Sequence, residues 1–224
     1  MSQSLPLYLQ ISERLTREIA AGRLPDGTRL PPERDMAVKE GTAVGTLRKA
    51  LAELEERGLL ERRQGSGNYV RARRVKSIYG FLRLERPDGG GLPTAETLSL
   101  DRESQAFKAA HRIRRLRRLD GAPVALEEIH LDARWARDLA EPLPEALYRH
   151  YAEAFDLDIG RIEDRVGISD VPDWAPPFFS MAAGEVSGYV ARRAWSATDG
   201  LAEISETWFD PARARYIARD SQGI

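Results

Sequence analysis

The stretch from Gly41 to Gly58, GTAVGTLRKALAELEERG, constrains the fold of this chain more than any other segment. Its apolar residues at positions 47, 50, 51 and 54 recur with helical spacing and form one stripe. Thr46, Arg48 and Lys49 stand in the first turns, whereas the glutamates crowd the later turns. Acids at the end of a helix oppose its dipole, whereas first turns that enter the major groove of DNA must be free of acids. The pattern fits a recognition helix, although a packed helix with a solvated face would share its periodicity.

The flanking segments decide between these two interpretations. Upstream, LPPERDMAVKEG offers two prolines at a helix start, acids in the first turn and Gly41 as a stop. Downstream, LLERRQGSGNYV consists of two short strand-like runs around a glycine-rich turn. An earlier helix is predicted from Leu7 to Ala21, with apolar residues at 7, 11, 15 and 19 that would pack on the stripe. This order of elements predicts a winged helix-turn-helix domain over residues 1–72.

Four consecutive segments of this region resemble the signatures of the GntR family of bacterial transcription regulators. They are PLYLQI, GRLPDGTRLPPER, GTAVGTLRKALAELEERGLL and RRQGSGNYV. The resemblance implies DNA contacts from the arginine of the P-x-E-R segment, from early residues of the recognition helix and from the tip of the wing. The DNA-binding candidates in this chain are Arg34, Thr46, Arg48, Lys49, Arg63, Gln64, Gly65 and Ser66.

One departure from the family pattern concerns the start of the recognition helix. Many members carry Ser and Arg in a V-S-R-x-T-V-R segment, where this chain has Ala43 and Val44. The resemblance therefore implies that one guanine-reading arginine is absent, so the common operator core of the family is not assumed for this chain. Tyr8 has two open roles, a phosphate contact and a core contact.

The charge distribution agrees with a DNA-binding N-terminal part. The whole chain of 224 residues has a net charge of −1, but residues 1–75 carry +4 and the remainder −5. The length predicts two domains. The absence of cysteine excludes disulfides, thiol nucleophiles and cysteine-ligated metal sites. No apolar run has membrane-spanning length and no signal peptide is evident, so a cytoplasmic protein is expected.

Residues 73–104 are interpreted as a linker and the entry to the second domain. The linker begins with the basic run RARRVKS, IYGFLRLE is a candidate strand, and RPDGGGLPT is a loop. Residues 105–224 then form the second domain. Two strand-length runs, joined at Asp120 and Gly121, predict a hairpin. Helices are predicted in RWARDLA and EALYRHYAEAF, and strands in DIGRIEDRVGISDV, VSGYVARRAWSAT and LAEISETWF. The overall fold class is therefore α+β, with an antiparallel sheet in the C-terminal domain.

The second domain resembles the UTRA domain, the chorismate-lyase-like effector domain of the HutC subfamily of GntR regulators. The resemblance extends over about residues 105–217 and is carried by three segments: RRLRRLDGAPVALEEIHL, LYRHYAEAFDLDIGRIEDRV and TDGLAEISETWFDPARARY. It implies an effector pocket lined by an R-x-R pair, a glutamate on the returning strand, and a glutamate and an aromatic residue near the C-terminus. The effector-binding candidates are Arg115, Arg117, Glu127, Glu203 and Phe209.

Two departures bear on the class of effector. The Ser/Thr-rich loop that binds phosphosugars in other members is not evident, and Phe209 stands where a tyrosine is common. The arginine pair still favours an anion, because guanidinium matches the geometry of carboxylate and phosphate. The alternative is that Arg115 and Arg117 form a surface stripe paired with Glu127 or Glu128, since one of these glutamates must share their face.

Three function classes follow from these features. The first is a bacterial DNA-binding transcription regulator, a repressor, that binds an inverted-repeat operator as a homodimer and responds to a small anionic metabolite. The second is a DNA-binding protein whose C-terminal domain only dimerises, and the third is a lyase-like enzyme. No catalytic motif is evident, and no cofactor or membrane partner is expected. His111 and His130 are possible neighbours across the hairpin, but two ligands make a poor metal site, so no metal is predicted.

Overall fold

The computed structural model describes residues 5–20, 23–71, 83–103, 106–198 and 200–218. These residues divide into two compact units, an N-terminal one and a C-terminal one that carries the large sheet. The fold is α+β, as the sequence predicted. Within the described ranges, no helix combines the length and the apolar character needed to cross a membrane.

The N-terminal unit is a winged helix-turn-helix. Its elements are α1 (Leu7–Ala20), α2 (Glu33–Lys39), α3 (Val44–Glu56), β1 (Leu60–Arg63) and β2 (Gly67–Val70). The two strands pair in antiparallel fashion, and an isolated bridge joins Arg29 to Tyr69 on the other side of β2. The sequence had predicted the helices and the hairpin, but not this bridge.

The predicted stripe of α3 forms the core of this unit. Leu47, Leu51 and Leu54 are at most 2% exposed, and Ile11 of α1 packs in the same cluster. Leu7, by contrast, is 46% exposed, so the stripe of α1 is shorter than the sequence predicted. Burial of the apolar stripe turns the opposite face of α3 outward, and that face carries Arg48.

The C-terminal unit is built on a six-stranded antiparallel sheet. Its strands are β4 (Pro93–Glu103), β5 (Ala110–Leu119), β6 (Ala122–Asp132), β7 (Ile159–Asp170), β8 (Val186–Ser196) and β9 (Leu201–Phe209), in the order β4-β5-β6-β9-β8-β7. The helix α4 (Leu147–Phe155) packs its buried side on one face of the sheet. Two short strands, β3 (Leu84–Glu85) and β10 (Arg215–Tyr216), form a separate antiparallel pair.

Two segments differ from the sequence-based expectation. Within the range interpreted as linker and entry, β4 is a full strand that pairs with β5. Its residues are mostly half-exposed, as suits the edge of a sheet, so its alternation of polar and apolar residues is weak. RWARDLA was predicted to be helical but forms turns, because its few apolar residues span less than two helical turns. The basic run RARRVKS lies almost entirely outside the described residues.

The register of the sheet decides which side chains share a face. Arg115 of β5 pairs with Glu127 of β6, and Glu127 pairs in turn with Thr207 of β9. Glu127 is therefore the glutamate that shares a face with the two arginines, and Glu128 lies on the opposite face.

Candidate functional sites

The N-terminal unit contains an open groove with a volume of about 710 Å³. Its walls come from the segment before α2, from the first turn of α2, from Arg48 of α3 and from the wing. Six of the eight predicted DNA-binding residues line it: Arg34, Arg48, Arg63, Gln64, Gly65 and Ser66. The groove thus gathers residues that are up to thirty-nine positions apart in the sequence, from Arg29 to Asn68.

A carboxylate that the sequence analysis did not single out lies in this groove. Glu33 Oε2 accepts a hydrogen bond from Arg48 Nε at 2.6 Å, and Glu33 Oε1 accepts one from Arg62 Nη2 at 3.0 Å. The hydrogen bond from Arg48, with the positive charges of both arginines, lowers the pKa of Glu33. The P-x-E-R segment contains Glu33, but nothing in a linear pattern shows which arginines fold against it.

The wing tip is shaped by a glycine turn and an aromatic side chain. Gly65 adopts a φ of 71°, a conformation that favours glycine. The guanidinium of Arg63 stacks over the Tyr69 ring at 4.2 Å, and Ser66 Oγ lies 2.7 Å from the Tyr69 hydroxyl. Tyr69 thereby holds two of the predicted DNA-binding residues in place.

Thr46 and Lys49 lie outside the lining of the groove. Thr46 is half-buried, and the exposed Lys49 places its Nζ 4.1 Å from the centre of the Tyr8 ring. Tyr8 is half-buried and packs against the core cluster. Of the two roles left open for Tyr8, the core contact is present in this structure.

The C-terminal unit brings the predicted arginine pair and Glu127 together. Arg117 donates to the Glu127 carboxylate from Nε at 3.0 Å and from Nη2 at 3.2 Å, and Arg115 Nη1 lies 3.8 Å from it. Burial opposes the ionisation of Glu127, but the charges of Arg117 and Arg115 outweigh it and lower its pKa. Arg115 is fully buried and also donates to the Glu145 carbonyl at 2.7 Å. This is not the surface stripe that the sequence left open as an alternative.

Glu203 lies on the same face of the sheet and is 1% exposed. Its Oε1 accepts a hydrogen bond from the Tyr148 hydroxyl at 2.7 Å. Desolvation by burial raises the pKa of Glu203 to about 7, so this carboxyl takes up a proton far more readily than an exposed one. Tyr148 comes from α4, whose apolar periodicity predicted its helix but not this contact.

A second ion pair on this face, which is partly buried, was missed by the sequence analysis. Arg192 of β8 donates to the Asp164 carboxylate of β7 from Nε at 2.6 Å and from Nη2 at 2.7 Å. The Tyr216 hydroxyl donates to Asp164 Oδ2 at 2.7 Å. Burial would raise the pKa of Asp164, but the hydrogen bonds from Arg192 and the Arg192 charge lower it. Both partners sit in charge-rich strands, where the pattern does not distinguish buried from exposed positions.

Phe209 packs in a buried apolar cluster at one end of this face. Its ring covers the backbone of Gly188, where a Cβ atom would overlap the ring. The close approach explains why β8 has glycine at this position. All five predicted effector-binding residues are therefore on the same face as α4.

The two histidines considered as a metal pair are not neighbours. His111 pairs with Leu131, and His130 pairs with Arg112, so the two rings lie on opposite faces. The described residues contain no group of three acidic or histidine side chains arranged to hold a metal ion.

Comparisons with known proteins agree with this architecture. The model of the family "Bacterial regulatory proteins, gntR family" matches residues 7–70, and that of the UTRA domain matches residues 93–215. The chain is 52% identical to the HTH-type transcriptional regulator SmoD of Agrobacterium fabrum over 96% of this chain and 97% of SmoD. It is 27% identical to the HTH-type transcriptional repressor NagR of Bacillus subtilis over 72% of this chain and 73% of NagR.

Solved structures show the same fold at low sequence identity. YydK of Bacillus subtilis aligns with a TM-score of 0.55 at 16% identity, over 96% of this chain and all of YydK. The ligand-binding domain of a GntR-family protein from Bordetella bronchiseptica aligns with a TM-score of 0.56 at 18% identity, over 62% of this chain and 96% of that domain. With its winged helix-turn-helix and its UTRA domain, the chain belongs to the HutC subfamily of the GntR family, the DNA-binding regulators of bacterial transcription.

Proposed function

We propose that this protein is a repressor that binds an inverted-repeat operator as a homodimer and releases it when a small anionic metabolite binds the C-terminal unit. A ligand that favours one conformation of the dimer shifts its affinity for DNA by the difference in its binding energy for the two conformations. NagR, a relative over most of its length, is named as a repressor. A binding role is favoured over an enzymatic one, because fold likeness to a lyase carries no activity.

The observation that carries the effector proposal is a set of buried polar atoms without partners. Among the described residues, neither Arg117 Nη1 nor Glu203 Oε2 has a hydrogen-bond partner, and both atoms are buried. A buried polar atom without a partner is costly, and a polar ligand would remove that cost. We therefore assign Arg115, Arg117, Glu127, Glu203 and Phe209 to the effector pocket.

The charge balance of the pocket favours an anion. Arg115, Arg117 and Arg192 are positive, whereas the raised pKa of Glu203 leaves Glu127 and Asp164 as the strong carboxylates. The face thus carries an excess of positive charge in a buried setting. A carboxylate, phosphate or similar anion on the ligand would balance it.

The DNA-binding part of the proposal uses the groove. We assign Arg48 to base edges in the major groove, and the wing tip with Arg63 and Gly65 to the minor groove. Arg34, exposed on the first turn of α2, is assigned to a phosphate. The proposed set of DNA contacts also includes Thr46, Lys49, Gln64 and Ser66.

The homodimer is assigned to the edge strand β7. Val166 and Ile168 are 54% and 77% exposed on one face of it, and β7 pairs only with β8 among the described strands. A long edge strand that exposes apolar side chains is an aggregation hazard unless another chain covers it. A two-fold axis at Gly167 would set Val166 of one protomer opposite Ile168 of the other, so the strand is complementary to a second copy of itself.

Sedimentation of the purified protein tests this interface. We expect a dimer for the wild type and a monomer for Ile168→Glu. Val38→Glu, a change at an exposed apolar residue of the N-terminal unit, serves as the matched control and should remain dimeric. A monomeric wild type, or a dimeric Ile168→Glu variant, would reject the assignment.

The whole proposal is tested with the region upstream of the protein's own gene. Titrated at low ionic strength, the protein should shift this duplex and protect two half-sites related by dyad symmetry. Thermal-shift screening against sugar phosphates, sugar acids and small carboxylates should then give a compound that raises the melting temperature and weakens the DNA complex. DNA binding without any such compound would favour a domain that only dimerises, and turnover of a compound would favour an enzyme.

A further inference from the structure

The groove of the N-terminal unit contains an acid at a place where acids should be disfavoured. Glu33 faces the region that the phosphate backbone approaches when a winged helix-turn-helix binds DNA, and a carboxylate there repels phosphate. Its side chain is 22% exposed, so solvent does not fully screen that charge. Because Glu33 repels phosphate, we expect it to contribute to DNA binding in another way that offsets this repulsion.

The contacts of Glu33 connect the DNA-binding elements of the unit. It is the first residue of α2, and its carboxylate receives hydrogen bonds from Arg48 of α3 and from Arg62 of β1. A hydrogen bond from Asn68 of β2 further lowers the pKa of Glu33, and Asn68 itself is buried. One carboxylate thus joins the recognition helix to both strands of the wing.

The geometry of the Arg48 contact leaves its base-reading atoms available. Glu33 binds Arg48 through Nε, and the terminal amino groups of Arg48 make no hydrogen bond within the described parts of the chain. An arginine that reads guanine uses those terminal groups to bind O6 and N7. The Arg48 side chain remains 64% exposed, so it is held in one orientation without being withdrawn from the groove.

We propose that Glu33 is a positioning residue that sets the sequence specificity of DNA binding by orienting Arg48 and fixing the wing against the recognition helix, an inference that rests on the proposed role of Arg48 in reading bases. It lowers the affinity for any DNA through its charge, and it raises the preference for the correct sequence through its hydrogen bonds. Ordering an arginine side chain before binding removes an entropic cost that would otherwise oppose the specific complex. Non-specific DNA does not need that orientation, and therefore gains nothing from it.

The experiment compares Glu33→Gln with a matched control in the same turn of α2. The glutamine keeps the size of the side chain but removes the charge that holds the arginines. Asp35→Asn removes the same charge from an exposed residue that lines the same groove but, among the described residues, forms no ion pair with Arg48 or Arg62. Each full-length variant is titrated by fluorescence anisotropy against two duplexes: one enriched by the wild type from a random pool, and a scrambled duplex of equal length and composition.

The two variants are expected to behave differently. Both should bind the scrambled duplex up to about fivefold more tightly at low salt, because each loses one repulsive charge. Only Glu33→Gln should reduce the ratio of specific to non-specific affinity, by a factor of about 2 to 12 for each side chain released. A similar ratio in the two variants would overturn the proposal, since it would reduce Glu33 to a surface charge.

A double-mutant cycle separates positioning from a structural role. In an Arg48→Ala background, Glu33→Gln can change the ratio of specific to non-specific affinity only through its contact with the wing. The effect of the double substitution should therefore be well below the sum of the effects of the two single substitutions. Melting temperatures are measured in parallel. If Glu33→Gln instead weakened both duplexes equally and lowered the melting temperature, the carboxylate would act on folding alone and the proposal would be wrong.

Discussion

The two units use similar runs of arginine in opposite ways. In the wing, Arg62 and Arg63 are both about half exposed, whereas in β5 the neighbours Arg114 and Arg115 are divided by the pleat of the strand. Arg115 is fully buried between α4 and the sheet. An exposed cation can attract a polyanion from solution, whereas a buried one must be balanced by fixed partners or by a ligand. The same residue type is therefore exposed and available to solution in one unit, and buried against fixed partners in the other.

The largest test of this contrast compares the stability of Arg115→Ala and Arg48→Ala. Loss of Arg115 leaves the buried Glu127 with less of its compensating charge, so we expect a loss of about 3–5 kcal/mol in the free energy of unfolding. Loss of the exposed Arg48 should change it by no more than about 0.5 kcal/mol. Urea unfolding gives both values, by tryptophan fluorescence for the C-terminal unit, which holds all four tryptophans, and by circular dichroism for α3. Equal losses would remove the distinction between the units.

A second test uses the pH dependence of Glu203. Its pKa is about 7 in the folded protein, against 4.5 for an ordinary glutamate. Between these two pH values the carboxyl of Glu203 is protonated in the folded chain but ionised in the unfolded chain. The free energy of unfolding of the wild type therefore falls as the pH rises through this range, and the fall ends above pH 7. Glu203→Gln removes this loss and should be more stable than the wild type by about 3 kcal/mol at pH 8. The two proteins should be similar below pH 4.5.

The measurement is a series of urea midpoints from about pH 4 to about pH 8, a range that brackets the folded and unfolded pKa values of this carboxyl. Glu163→Gln, an exposed change on β7, is the control and should follow the wild-type curve. Parallel curves for the wild type and Glu203→Gln would mean that this carboxyl is ionised and balanced in the folded state. The contrast between exposed and buried charge would then lose its clearest example.

A third test concerns DNA affinity and contrasts Arg48 with Arg34 in the groove. Arg48→Ala should cost about 1–3 kcal/mol on the enriched duplex and relax the preference at one base pair. Arg34→Ala should weaken all duplexes alike and reduce the salt slope by about one. Anisotropy titrations at several salt concentrations distinguish the two behaviours. Equal losses of Arg48→Ala on specific and scrambled DNA would make it a phosphate contact as well.

The N-terminal unit was more predictable than the C-terminal one, for a physical reason. Its core is formed by local periodicity, so the positions of Leu47 and Leu51 determine which way Arg48 points. In the sheet, alternation predicted the common face of Arg115 and Arg117, but pairing between distant strands determines their partners. The register of β5 and β6 pairs Arg115 with Glu127, and this register cannot be read from a local sequence pattern.

The contacts that the sequence analysis missed are ion pairs between segments that are distant in the sequence. The Arg192–Asp164 pair joins β8 to β7, and Glu33 meets Arg62 across 29 positions. In both cases each residue alone is an ordinary surface charge, and only the fold makes it part of a network. The half-exposed edge strand β4 was missed because neither of its faces is fully buried along its length.

The smallest test removes one hydroxyl from each unit. Tyr216→Phe deletes the hydrogen bond to Asp164, an ionised acceptor in a partly buried site, and should cost about 1 kcal/mol in unfolding free energy. Tyr69→Phe deletes the 2.7 Å contact with Ser66 at the exposed wing tip, between neutral groups, and should cost less than about 0.5 kcal/mol. Urea unfolding under identical conditions gives both numbers.

The pH dependence of the same pair makes the test independent of packing. The Tyr216 hydroxyl helps to lower the pKa of Asp164, so stability from this bond is present at neutral pH and disappears as the pH falls through the pKa of the folded-state carboxyl. The difference between the wild type and Tyr216→Phe should therefore shrink in acid, while that between the wild type and Tyr69→Phe should stay constant. A pH-independent loss in Tyr216→Phe would assign its effect to van der Waals contacts. In that case the charge of Asp164 would depend on the neighbouring arginines, Arg192 first, and not on Tyr216.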